Sequence, residues 1–200
     1  MTVNTESVYQ GVTLTNTGGS PLIFSSVALT GTNKTQFLIS GNTCLGSLAA
    51  GANCTIHTHF YPTVTGAATA ALTITDSATG SPQTVTLTGT GTTAAAVSLS
   101  TTSIAFGDVT VGSESAYQPV TLTNTGGSPL TISSIVLTGT NEAQFVISSN
   151  YCPASLVAGA NCVIHLHFYP KAAGAATAAL TINDNAAGSP QSVTLTGTGK

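Results

Sequence analysis

Charge is what this chain has least of. Asp, Glu, Lys and Arg make up 4% of its 200 residues, against about 25% in an ordinary globular protein. Arginine is absent, and the three lysines stand apart at 34, 171 and 200. Three scattered lysines on a chain of net charge −3 cannot neutralise a phosphate backbone, so nucleic acid is excluded as a partner. The acids Glu6, Asp76, Asp108, Glu114, Glu142 and Asp184 form no close pair along the chain. They read as solvated turn residues, since acid–base chemistry would need the fold to bring two of them together. Tryptophan is also absent, which leaves Val, Ala, Leu and Ile to build the core. Long apolar runs are missing too. Mean hydropathy is +0.34, yet Thr, Ser and Gly dilute every apolar stretch well below the roughly 18 residues a spanning helix needs. Met1–Glu6 is polar and does not read as an export signal, so export is expected to rest on a segment already removed or on a longer parent chain.

What the chain does have is a repeat. Thr2–Gly91 aligns with Thr110–Gly199 without a gap, and about seven positions in ten agree. A repeat of this length is a whole domain, longer than a solenoid unit of about 20 to 50 residues. The expected division is 1–92 and 93–200. Nothing in the first copy corresponds to Thr93–Asp108, so its opening strand is expected to be missing.

Strand signals recur throughout. In the second copy they fall at Ala96–Phe106, continued by Val109 and Val111, and then at Ala116–Asn124, Leu130–Thr138, Phe145–Ser148, 162–169, Ala175–Asn183 and Ser192–Thr198. Gly, Pro, Asn and Ser separate them and no helical period appears, which predicts an all-β protein of two tandem immunoglobulin-like antiparallel sandwiches. The most informative stretch is Asn161–Pro170, with its copy Asn53–Pro62. Read with period two, Cys162, Ile164, Leu166 and Phe168 face inward, as do Cys54, Ile56, Thr58 and Phe60. His165, His167 and Tyr169 face outward, as do His57, His59 and Tyr61.

Cys44 and Cys54 are ten residues apart around a Gly-containing loop, as are Cys152 and Cys162. Two intradomain disulfides are expected, each contributing about 2 to 3 kcal/mol by closing a loop of that size, and they imply an oxidising compartment. A zinc site is the alternative. The spacing does not resemble a metal knuckle, and the histidines alternate away from the sulfur side.

The series Val97–Gly112 (VSLSTTSIAFGDVTVG), Val120–Leu130 (VTLTNTGGSPL), Leu156–Cys162 (LVAGANC) running into Phe168-Tyr169-Pro170, Ala178–Asp184 (AALTIND) and Val193–Gly199 (VTLTGTG) resembles a bacterial ASH (Hydin-like) or choice-of-anchor D domain. The resemblance covers nearly the whole chain. It implies an immunoglobulin-like sandwich related to major sperm protein and PapD-type domains, set in tandem in long secreted or surface-attached bacterial proteins. It brings no catalytic residues to carry over.

Function is therefore expected to be structural and non-enzymatic, as part of an extracellular stalk, adhesin or filament with no cofactor. Its partners would be copies of itself or neighbouring repeats. Strand exchange through Val97, Leu99, Ile104 and Phe106 would link subunits end to end, because a sandwich missing a strand exposes backbone that another chain can pair with. Two other readings stand beside this one. A module binding carbohydrate or another surface ligand would use the tyrosines at 9, 61, 117, 151 and 169. A metal site at His57 and His59, or at His165 and His167, would need further ligands from across a subunit contact. No Gly-x-Ser-x-Gly elbow is present to support a serine nucleophile.

Overall fold

The computed structural model describes every residue from Met1 to Lys200, and the chain divides into two compact units, Met1–Thr93 and Ala94–Lys200. The first runs β1 (Gln10–Thr15), β2 (Leu22–Thr30), β3 (Phe37–Asn42), β4 (Ser47–Leu48), β5 (Asn53–Phe60), β6 (Gly66–Asp76) and β7 (Gln83–Gly91). One sheet is ordered β1-β5-β3 and the other β4-β2-β6-β7. The second unit runs β8 (Val97–Leu99), β9 (Ser103–Val109), β10 (Gln118–Asn124), β11 (Leu130–Thr138), β12 (Phe145–Asn150), β13 (Ser155–Leu156), β14 (Asn161–Phe168), β15 (Gly174–Asp184) and β16 (Gln191–Gly199). Its sheets are β12-β14-β10-β8 and β13-β11-β15-β16-β9. Both units are all-β immunoglobulin-like sandwiches, with helix limited to 3-10 turns at Lys34–Gln36 and Glu142–Gln144.

Alternation places the core. On β15, Ala176, Ala178, Leu180 and Ile182 are buried, and they meet Val120, Leu122, Ile164 and Leu166 of the facing sheet in one continuous cluster. The two buried asparagines find hydrogen-bond partners, as burial favours. Asn124 is fully buried, and its Nδ2 donates to the carbonyls of Ser128 and Leu156 while its Oδ1 accepts from Gly126 N. Asn16 makes the same three bonds in the first unit. The Thr-Gly-Gly-Ser-Pro loop is thereby pinned to the core rather than left as a free turn. Asp76 is likewise buried, in contrast to the solvated turn residue expected; its Oδ1 accepts from Ala78 N and closes the turn after β6.

The strand expected over Ala96–Phe106 is two strands. β8 pairs antiparallel with β10, whereas β9 pairs parallel with β16 in the opposite sheet, so the second sandwich is not purely antiparallel. The crossing has a local cause. Ser100 Oγ accepts from Thr121 N, and Thr101 Oγ donates to the carbonyl of Ser103. Side-chain hydroxyls take over from the ladder there and turn the chain into the other layer.

The first unit has no counterpart of β8, and of β9 only the far end: β1 and β7 stand at sheet edges, and Thr2 makes an isolated parallel bridge to Thr92. The packing responds. Val12, Leu14, Val85 and Leu87 are only half-buried, whereas their equivalents Val120, Leu122, Val193 and Leu195 are completely buried. The core of this unit parts into two clusters, one around Ile56, Leu72 and the cysteines, the other around Phe37 and Phe60.

Candidate functional site

β5 and β14 bring together the side chains of chemical interest. Their inner residues are buried as alternation requires: Cys54, Ile56, Thr58 and Phe60 on β5, and Cys162, Ile164, Leu166 and Phe168 on β14. The inner cysteines bond their partners across the preceding loop, Cys44 to Cys54 and Cys152 to Cys162, with no free thiol left.

The outer faces of the same strands depart from the simple reading of outward histidine. His59 and His167 are buried, at 8% and 6% exposure. The chain leading into β1 or β10 covers them. Ser115 N donates to the carbonyl of Phe168 and Ser115 Oγ accepts from Phe168 N, which lays residues 114–117 across the end of β14. Tyr117 then meets the His167 ring edge-on at 5.2 Å, and Glu114 Oε1 lies 3.8 Å from His167 Nε2. Ser7, Tyr9 and Glu6 repeat the arrangement on Phe60 and His59, with Tyr9 at 5.0 Å and Glu6 at 4.0 Å. The signal for these partners was present in the sequence, because Glu-Ser-x-Tyr-Gln stands at 6–10 and again at 114–118.

The other histidine of each pair has different company. His57 is exposed between Gly11 and Gly41, its register partners on β1 and β3. His165 is half-buried, with Ser149 Oγ 2.9 Å from its Nδ1 and Tyr151 edge-on at 6.1 Å. Ser149 and His165 thus form a hydroxyl–imidazole pair, but a nucleophile needs its base oriented by a third group, and no carboxylate lies against His165. The first unit carries Gly41 in the place of Ser149. The metal reading keeps two imidazoles per unit and gains no third ligand, since nowhere do three His, Cys, Asp or Glu side chains converge. Chemically, the His–Tyr–Glu contacts fasten the entry segment onto the sheet.

The residues expected to exchange between chains are all seated in the second unit. Leu99 lies opposite Leu122 and Val97 opposite Asn124. Ile104 lies opposite Leu195, and Phe106 stacks on Phe168 at 6.2 Å. The equivalent flank of the first unit is open, and two clefts mark it. One of about 630 Å³ is lined by Val12, Leu14, Asn16, Gly18 and Val85; one of about 520 Å³ is lined by Phe37, Phe60, Leu87 and Gly89.

The family model of Cep192 domain 4 matches residues 94–200. No curated protein matches the chain. Among solved structures, a protein of unknown function from Porphyromonas gingivalis aligns over 96% of this chain and 91% of its own, at 12% identity and a TM-score of 0.44. The ASH/PapD-like domain 7 of human CEP192 aligns over 52% of this chain and 84% of its own, at 18% identity and a TM-score of 0.37. The secreted serine protease VesC from Vibrio cholerae aligns over 85% of this chain and 45% of its own, at 18% identity and a TM-score of 0.38.

Proposed function

The chain belongs to the Cep192 domain 4 family, of ASH-type immunoglobulin-like domains, and from that premise we propose that it is a non-enzymatic structural module of a secreted or surface-attached bacterial protein, one that builds a stalk, adhesin or filament. The observation that carries this reading is the near-absence of charge. A small soluble domain ordinarily covers about 25–35% of its surface positions with Lys, Arg, Glu and Asp, and this chain has nine such residues in all, three basic and six acidic. A surface of Thr and Ala, as on the outward faces of β6 and β7, packs against neighbours without stranding charges. The disulfides support an oxidising, extracellular setting, and no helix is long and apolar enough to cross a membrane.

Light scattering and negative-stain microscopy on the purified chain test the proposal. Masses at multiples of 19.8 kDa and elongated particles are expected at micromolar concentration and above. Dispersed single-chain particles throughout that range would overturn it.

A second reading has one observation in its favour. Tyr117, Pro119, Ser148, Ser149 and His165 line a shallow cleft on the second unit, with Tyr117 57% exposed, and an exposed ring beside hydroxyls suits a sugar face. Glycan binding lost in Tyr117→Ala would support a carbohydrate-binding module, and an array without hits would dispose of it.

A further inference from the structure

We propose that copies of this chain join head to tail through unlike faces: the outer face of β10-β14-β12 on one copy carries knobs, and the outer face of β1-β5-β3 on the next is the socket that takes them. The inference rests on the scaffold reading and names the contact that would build it.

The two faces share one plan. A histidine stands at the centre of each, His57 on β5 and His165 on β14, in register with one residue on either flanking strand. The flanks differ. His57 has Gly11 and Gly41 beside it, whereas His165 has Pro119 and Ser149. One step further along, Thr43 N donates to the carbonyl of Thr55, and in the same place Tyr151 N donates to the carbonyl of Val163. Most positions agree between the copies, yet at all three of these neighbours the first unit holds the smaller residue: Gly11 for Pro119, Gly41 for Ser149 and Thr43 for Tyr151.

On the first unit the result is an open floor. A Cβ built on Gly11 would lie 3.6 Å from Cε1 and Nδ1 of His57, and one built on Gly41 would lie 3.5 Å from its Cδ2. The imidazole therefore spans the strip between two residues without side chains, and it is exposed. Neither glycine has a positive φ, so the backbone does not call for glycine at either place. A glycine inside a strand weakens it, and one use of that loss is to let another surface approach closely.

On the second unit the same place is built up. Tyr151 is 69% exposed and Tyr117 57%, with Pro119 exposed as well. A tyrosine ring of this kind fits an open imidazole edge-on, the arrangement Tyr151 already has with His165 at 6.1 Å. None of the six strands involved contains Asp, Glu, Lys or Arg, so bringing the two faces together buries no strand charge. Two second units facing each other would set knob on knob, and two first units would leave both floors unfilled. Only the unlike pairing fills one with the other.

Because socket and knobs lie on different units, the contact is heterologous. A joined pair still offers one free socket and one free set of knobs, so copies add end to end. No strand leaves its sandwich, in contrast to exchange through Val97, Leu99, Ile104 and Phe106.

The test swaps the three residues between units of the full chain, so that each substitution is one the sister sandwich already accommodates. One variant carries Gly11→Pro, Gly41→Ser and Thr43→Tyr and has knobs on both units. The other carries Pro119→Gly, Ser149→Gly and Tyr151→Thr and has two sockets. In light scattering each variant alone should need at least about tenfold more protein than the parent chain to assemble, and an equal mixture of the two should assemble as the parent does. In the parent, the His57 ring-proton resonances should move with concentration as a tyrosine seats on the imidazole; in Tyr151→Thr they should stay fixed. Assembly of either triple variant alone at parent concentrations would overturn the proposal, as would a mixture no better than its parts or His57 resonances that move equally without Tyr151. Parent chains that stay single at every concentration sink the scaffold reading and this contact with it. Parent assemblies indifferent to both triple substitutions sink the contact alone.

Discussion

Gly89 and Gly197 hold the same place in the two units, yet the same substitution should cost them differently. A Cβ on Gly197 would lie 2.6 Å from the Phe168 ring, and one on Gly89 would lie 2.7 Å from the Phe60 ring. Phe168 is fully buried between Phe106 and Phe145 and has nowhere to go, so Gly197→Ala should destabilise by about 1 to 3 kcal/mol, the usual cost of overpacking. Phe60 borders the open cleft and can tilt into it, so urea melts of Gly89→Ala should show a clearly smaller loss. Asn124→Ala should cost about 2 to 3 kcal/mol in the same assay, because the carbonyls of Ser128 and Leu156 lose a buried donor. At this scale the sequence was readable wherever alternation decides the outcome. The inner sets on β5 and β14 follow from it, while the pairing Cys44–Cys54 and Cys152–Cys162 follows from the ten-residue spacing within each copy. Alternation says which side of a strand a residue takes but not what covers that side, and for this reason the burial of His59 and His167 under Tyr9 and Tyr117 did not emerge from spacing.

Among the elements, the edges matter most. β16 is paired on both sides, by β15 and β9, whereas β7 has β6 alone along most of its length. Amide exchange followed by mass spectrometry should therefore find Thr84–Thr90 labelled well before Ser192–Thr198, although the sequences are nearly the same. Replacing Cys152 and Cys162 together by Ser should cost the second unit about 2 to 3 kcal/mol in the chain-entropy account, read from the shift of its urea midpoint. Strand positions such as Leu130–Thr138 were legible because turn residues bracket an alternating run. The division of Ala96–Phe106 into β8 and β9 was not. Val97 and Leu99 share one phase of the alternation and Ile104 and Phe106 the other, and a five-residue step holding the common hydroxyl residues Ser100 and Thr101 does not by itself tell a crossing from a bulge.

For the whole molecule, two units of nearly the same sequence should not unfold together. The second has a single continuous core and the first a divided one. Urea titration read by hydrogen exchange is expected to show the first unit opening at lower denaturant than the second; a single coincident transition would contradict this. The repeat predicts bodies over 1–92 and 93–200, and the compact units run Met1–Thr93 and Ala94–Lys200. The unequal packing of the two copies was readable only as a missing segment, since composition and periodicity are the same in both. The crossing at Ser100–Thr102 carries one more consequence. A single short stitch laces both layers of the second sandwich along one margin, with Ser100 and Thr102 exposed. A protease that snips there would cut no strand pairing directly, yet it would free both halves of the lace to peel, leaving a body gaping like its sibling.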